Sequence, residues 1–112
     1  MDAIFASVVE RFRQNQVVSI HRACSAQAVG NFDDHYFDWI YIDGDHSFES
    51  VLNDLKLWSP KVKSNGVIAL DDYYWMDENH QPSVKLAIEA FLANNRVTTA
   101  KCLQGQFLIR VI

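Results

Sequence analysis

The chain has 112 residues, 49% of them hydrophobic, enough for a single domain with a sizeable core and too much for a disordered segment. Ten Lys and Arg against fourteen Asp and Glu give a formal charge of −4, and no basic run or basic-aromatic strip is present, so nucleic acid is not an expected partner. No apolar stretch is long enough for a membrane span, residues 1–15 lack a signal-peptide pattern, and Cys24 and Cys102 lack zinc-site or disulfide-framework spacing. The expectation is a reduced, cytoplasmic protein that does not engage a membrane.

In chain order, Ile4, Phe5, Val8, Val9 and Phe12 recur at helical spacing, with Asp2 placed where the helix dipole favours an anion. Val17–Ile20 reads as a short strand, and Ser25–Val29 as a short helix or turn ending at Gly30. Tyr36–Ile42, rich in aromatic and β-branched residues, predicts a buried strand followed by a turn at Gly44. Ser47 is placed to cap a helix whose Phe48, Val51, Leu52, Leu55 and Trp58 repeat at three and four residues before Ser59-Pro60 ends it.

Ser64-Asn65-Gly66 signals a turn, after which Val67–Leu70 predicts a strand covered on both faces. Tyr73–Gln81 is polar and aromatic, Pro82 opens a helix carrying Val84, Ala87, Ile88 and Phe91 on one face, and Asn94-Asn95 closes it. Val97–Leu103 and Phe107–Ile112, on either side of Gln104-Gly105-Gln106, predict an antiparallel hairpin. The alternation defines an α/β sheet with crossover connections in one domain spanning residues 1–112, without internal repeats.

Two of these strands end in acids: Asp43 and Asp45 follow the first, Asp71 and Asp72 the second. Ligands of open parallel sheets collect at the carboxyl ends of the strands. If the strands are parallel neighbours, four carboxylates converge, an unfavourable arrangement unless a cation or base compensates. Oxygen donors suit Mg²⁺, Ca²⁺ or Mn²⁺ better than zinc. The competing reading is that these acids cap helices and satisfy loop amides.

The segments Phe37-Asp38-Trp39-Ile40-Tyr41-Ile42-Asp43-Gly44-Asp45-His46 and Trp58-Ser59-Pro60 through Gly66-Val67-Ile68-Ala69-Leu70-Asp71-Asp72-Tyr73, followed by the terminal hairpin, resemble the carboxy-terminal half of a class I S-adenosylmethionine-dependent methyltransferase. The resemblance is to the small-molecule O-methyltransferase branch that includes macrocin and catechol O-methyltransferase-like enzymes. It implies a Rossmann-like sheet truncated at its amino end, S-adenosylmethionine as methyl donor, and a small-molecule hydroxyl as acceptor. Metal-dependent members hold a divalent cation such as Mg²⁺ at positions that fall here on Asp43, Asp71 and Asp72. The general base falls on Asp45 or His46; His46 is preferred because an ordinary imidazole, with a pKa of about 6.5, suits proton abstraction near neutrality. The competing role of His46 is to order the turn before Ser47. Ser25, with Asp43, falls near the cofactor in relatives, and Tyr73, Tyr74 and Trp75 are placed to wall a substrate pocket or to meet a partner chain.

The glycine-rich loop of the family's first strand and the ribose-binding acid of its second are not found; the glycines at 30, 44, 66 and 105 make no GxGxG pattern, and the chain is expected to begin after both motifs. The fourth strand of the family would then present an open edge, so either Val17–Ile20 moves in beside it or two chains complete each other's sheets, making a homo-oligomer the expected state. Three functions follow: an O-methyltransferase assisted by a divalent metal, a catalytically inactive methyltransferase-like binding or assembly module, and an unrelated Mg²⁺-dependent phosphoryl-transfer or hydrolytic site. The last lacks a phosphate loop or nucleophile motif.

Overall fold

The computed structural model describes residues 2–112. Helix α1 spans Asp2–Phe12 and a single helical turn, α2, spans Ser25–Ala28, running into a 3₁₀ turn at Val29–Asn31. The expected role of the Asp2 side chain at the start of α1 lies outside the described residues. Then follow β1 (Phe37–Ile42), α3 (Phe48–Trp58), β2 (Val62–Leu70), α4 (Ser83–Asn94), β3 (Val97–Leu103) and β4 (Gln106–Val111).

The strands form one sheet in the order β1-β2-β4-β3. β1 and β2 are parallel, a pairing that needs a crossover, supplied by α3. β4 runs antiparallel to both β2 and β3, giving the α/β sheet with a carboxy-terminal hairpin that the sequence predicts. Register sorts the strand residues onto two faces. Ile40, Ile68 and Ile109 align on one face, as do Ile42, Leu70 and Phe107. That face carries the core, closed by Val51 and Leu55 of α3 and by Val84, Ala87, Ile88 and Phe91 of α4.

Two sequence expectations fail in the amino half. Val17–Ile20 is not a strand: Val17 is 91% exposed and its amide is held in a local turn by Asn15 Oδ1 at 3.1 Å. A short, mostly apolar segment without a partnering ladder does not hold an extended conformation, and it does not pair with β1. β1 itself is not a buried strand. It pairs with β2 alone among the described residues, and Trp39 remains 63% exposed at the edge of the sheet.

The turn signal at Ser64-Asn65-Gly66 is realised inside β2 rather than before it. Phe37 pairs with Val62 and Trp39 with Val67, so the extra residues of β2 bulge out. Asn65 takes φ +66°, its carbonyl accepts a 2.7 Å hydrogen bond from Arg110, and Gly66 lies against the carbonyl of Asp38.

Between β2 and α4 the chain is organised by Asp77. Its Oδ1 accepts the amides of Asn79 and Gln81 at 2.8 and 2.9 Å, and its Oδ2 accepts the Ser83 hydroxyl at 3.0 Å, which ties the loop to the start of α4. The Gln81 amide, followed by Ser83, Asn79 and the charge of His80, holds the carboxyl below its usual range against a smaller opposing effect of desolvation. A carboxyl whose folded-state pKa is depressed stabilises above its unfolded pKa and loses that contribution as pH falls through the folded value. Asp77→Asn is therefore expected to flatten the fall in melting temperature between about pH 5 and pH 2; thermal melts of the two proteins across that range check it, and parallel curves would contradict it.

Candidate active site

Ile42 pairs with Leu70, so the residues that follow them, Asp43 and Asp71, leave the sheet side by side at the carboxyl ends of two adjacent parallel strands. The acids then diverge. Asp72 adopts φ +59°, a left-handed conformation that Asp tolerates better than most residues, and its amide donates to Asp71 Oδ1 at 2.8 Å. Asp71 lies beside Tyr41, whose phenol pKa is pushed above its ordinary value, first by desolvation and then by Asp71, with Asp43 and Asp72 adding.

Asp72 reaches the other way, and its Oδ2 lies 2.7 Å from Nε2 of His46. Asp43, His46 and Asp72 each offer one ligand atom, and these atoms all lie within 4.8 Å of one another. Two carboxylate oxygens and an imidazole nitrogen are a donor set compatible with a divalent cation. Asp45 is committed elsewhere: Oδ1 accepts the Ser47 amide at 3.1 Å and Oδ2 accepts the Ser50 hydroxyl at 3.2 Å. Together with Ser47, whose hydroxyl accepts the Ser50 amide at 3.2 Å, it caps α3 and fixes the turn that carries His46.

The three aromatics after β2 separate. Tyr73 stacks on Phe107 with ring centres 4.9 Å apart, and Tyr74 meets the Cys102 thiol at 3.6 Å. Trp75 turns back through its amide, which donates to the Asp72 carbonyl at 3.0 Å, and stacks on His46 at 4.8 Å and 21°. Trp75 thus covers one face of the imidazole and His46 is clamped between an indole and a carboxylate.

Along the outer edge of β1 runs a cavity of about 500 Å³. Trp39, Tyr41, Asp43 and Gly44 line one side, while Ser25 and Asp54 approach from the helical side. The structure therefore places Ser25 and Asp43 on one cavity, and Asp43 also borders the acid cluster. Sequence reasoning passed over Asp54 and the contact between Trp75 and His46. Asp54 has a legible signal, because it stands three residues after Val51 and four before Trp58, a carboxylate on the inward stripe of an amphipathic helix. The Trp75 contact depends on a loop conformation that carries no periodic signal.

A Rossmann-like α/β sheet with acids gathered at the carboxyl ends of its parallel strands is the architecture of class I methyltransferases. The whole chain superposes on a crystal structure of a Corynebacterium glutamicum protein with a TM-score of 0.78, at 11% identity and covering 58% of that protein, a likeness of fold. A family model described as "Methyltransferase domain" matches residues 2–73, and this chain belongs to that family. It is also 37% identical over 57 residues to uncharacterized protein R132 of Acanthamoeba polyphaga mimivirus, a match covering 51% of the chain and 25% of the viral protein. The chain thus spans less than two thirds of the length of these relatives. No helix among the described residues is long and apolar enough to cross a membrane.

Proposed function

We propose that this chain carries the catalytic end of an S-adenosylmethionine-dependent methyltransferase that methylates a hydroxyl of a small molecule with the help of a divalent cation. The observation that carries the reading is the convergence of Asp43, His46 and Asp72 at the ends of β1 and β2. Asp43 and Asp72 would hold the cation, which would supply Lewis-acid polarisation of the acceptor hydroxyl, while Asp71, turned toward Tyr41, would add negative charge nearby. His46 donates from Nε2 to Asp72 and takes the hydroxyl proton on its other ring nitrogen, Nδ1. Asp72 orients the imidazole and stabilises its charged form, and Trp75 shields one ring face from water. Asp45 serves this arrangement indirectly by fixing the turn, a role that leaves His46 the better base of the two.

Paramagnetic Mn²⁺ titrated into the protein tests the cation site. Saturable one-to-one uptake that Asp43→Asn abolishes supports it, and uptake identical in wild type and variant removes it.

A second reading, a catalytically inactive module of the same fold, draws on the unpaired outer edge of β1 with its exposed Trp39 and Tyr41. Under either reading that edge offers main-chain hydrogen bonds to a second copy. The chain is expected to self-associate in a concentration-dependent way, and Trp39→Lys to return it toward monomer. Light scattering that gives 12.9 kDa at every concentration would contradict this.

A further inference from the structure

We infer that Tyr73 is a positioning residue for His46: it anchors the loop after β2 to the carboxy-terminal hairpin and so holds the imidazole against Asp72. The catalytic meaning of that role rests on the methyltransferase reading above. Four consecutive residues of this loop divide between two targets. Asp72 and Trp75 face His46, through the 2.7 Å carboxylate contact and the ring stack at 4.8 Å. Tyr73 and Tyr74 face the hairpin instead. The Tyr73 amide donates to the Gly105 carbonyl at 2.9 Å, its ring stacks on Phe107 at 4.9 Å and 20°, and the Tyr74 hydroxyl lies 3.6 Å from Cys102 Sγ.

The hairpin is the fixed side of this bridge. Phe107 is buried and is the ladder partner of Leu70, the last residue of β2, so the chain leaves the sheet beside the ring to which Tyr73 returns. Tyr73 packs against the same core. On the other side, Asp72 holds φ +59°, a conformation that a non-glycine residue keeps only where its surroundings determine it. Its amide donates to Asp71 Oδ1 at 2.8 Å and its carbonyl accepts the Trp75 amide at 3.0 Å, so residues 72–75 form one closed turn. Tyr73 fixes where that turn sits relative to the sheet. Without the stack on Phe107 the turn is free to swing at the end of β2, and Asp72 and Trp75 leave His46 together.

Histidine side-chain chemical shifts read this displacement, because protons lying over an indole face are shielded by its ring current. Of the four histidines, His46 is assigned through His46→Gln, and His21 and His35, placed in the amino half away from this loop, report on the rest of the fold. In Tyr73→Leu, without added metal, the His46 ring protons should lose shielding while His21 and His35 stay in place. Tyr73→Phe keeps the stack and should match wild type. Phe107→Leu cuts the same stack from the hairpin side and should reproduce the His46 shift, an independent reading should Tyr73→Leu fold poorly. Single-turnover methyl transfer should fall by about tenfold or more in both leucine variants and stay unchanged in Tyr73→Phe, since a small misplacement of a reacting group is enough for such a loss. A His46 spectrum unchanged in both leucine variants overturns the inference. Displacement of His21 and His35 along with His46 overturns it too, because the effect is then on the whole fold. A wild type that transfers no methyl group removes the methyltransferase reading, and the His46 shifts still decide whether Tyr73 positions the ring.

Discussion

Asp72→Asn is expected to weaken divalent-cation binding by about tenfold or more, whereas His46→Gln leaves that affinity nearly unchanged and lowers methyl transfer by about a hundredfold or more. The difference follows from what each side chain does at the 2.7 Å contact. Asp72 supplies charge to the cation and an acceptor to the imidazole, so its loss removes both. His46 supplies a proton acceptor that Gln cannot replace, although Gln keeps a polar group near Asp72. Cation titrations and single-turnover methyl transfer on the two variants separate the roles. If His46→Gln abolishes cation uptake as Asp72→Asn does, His46 is a ligand and the base must be sought elsewhere.

Gly66→Ala is expected to destabilise the fold by about 3 kcal/mol, a loss of roughly 10–20 °C in melting temperature for a domain of this size. A Cβ at this position would stand 2.5 Å from Cγ1 of Val62, 2.7 Å from the Asp38 carbonyl oxygen and 2.8 Å from the Lys63 carbonyl oxygen. Two of those three atoms are backbone, held by the bulge and by the pairing of β1 with β2, so no side-chain rotation relieves the clash. Relief requires β1 to move away from β2, and the ends of these strands carry Asp43 and Asp72. The variant should therefore lose cation binding along with stability. Thermal denaturation checks the first effect, and an unchanged melting temperature would show that the bulge yields at little cost.

Residues that act through periodicity were legible. The stripes on α3 and α4, the apolar run at the end of β2 and the Gly-containing hairpin each declare themselves in the sequence, because one-sided burial imposes a spacing. That acids would gather at two adjacent strand ends was legible for a related reason, but not all four converge: Asp43 and Asp72 meet with His46, while Asp45 caps α3 and Asp71 lies beside Tyr41. The failures share a cause too. Val17–Ile20 has the composition of a strand, but composition does not supply the neighbouring ladder that makes one, and β1 is apolar enough to be buried yet stands at the sheet edge, leaving Trp39 and Tyr41 exposed. Which of two adjacent acids turns toward His46 is set by the left-handed backbone of Asp72, a choice of one dihedral that no pattern of residue types announces.

The most direct test of the account is isothermal titration of S-adenosylhomocysteine into the 112-residue chain with and without Mg²⁺, with the mass in solution recorded in the same buffer. The account predicts saturable binding with one ligand per chain and a separate, saturable uptake of the cation. A chain that takes up neither ligand nor cation in any state of association would contradict it.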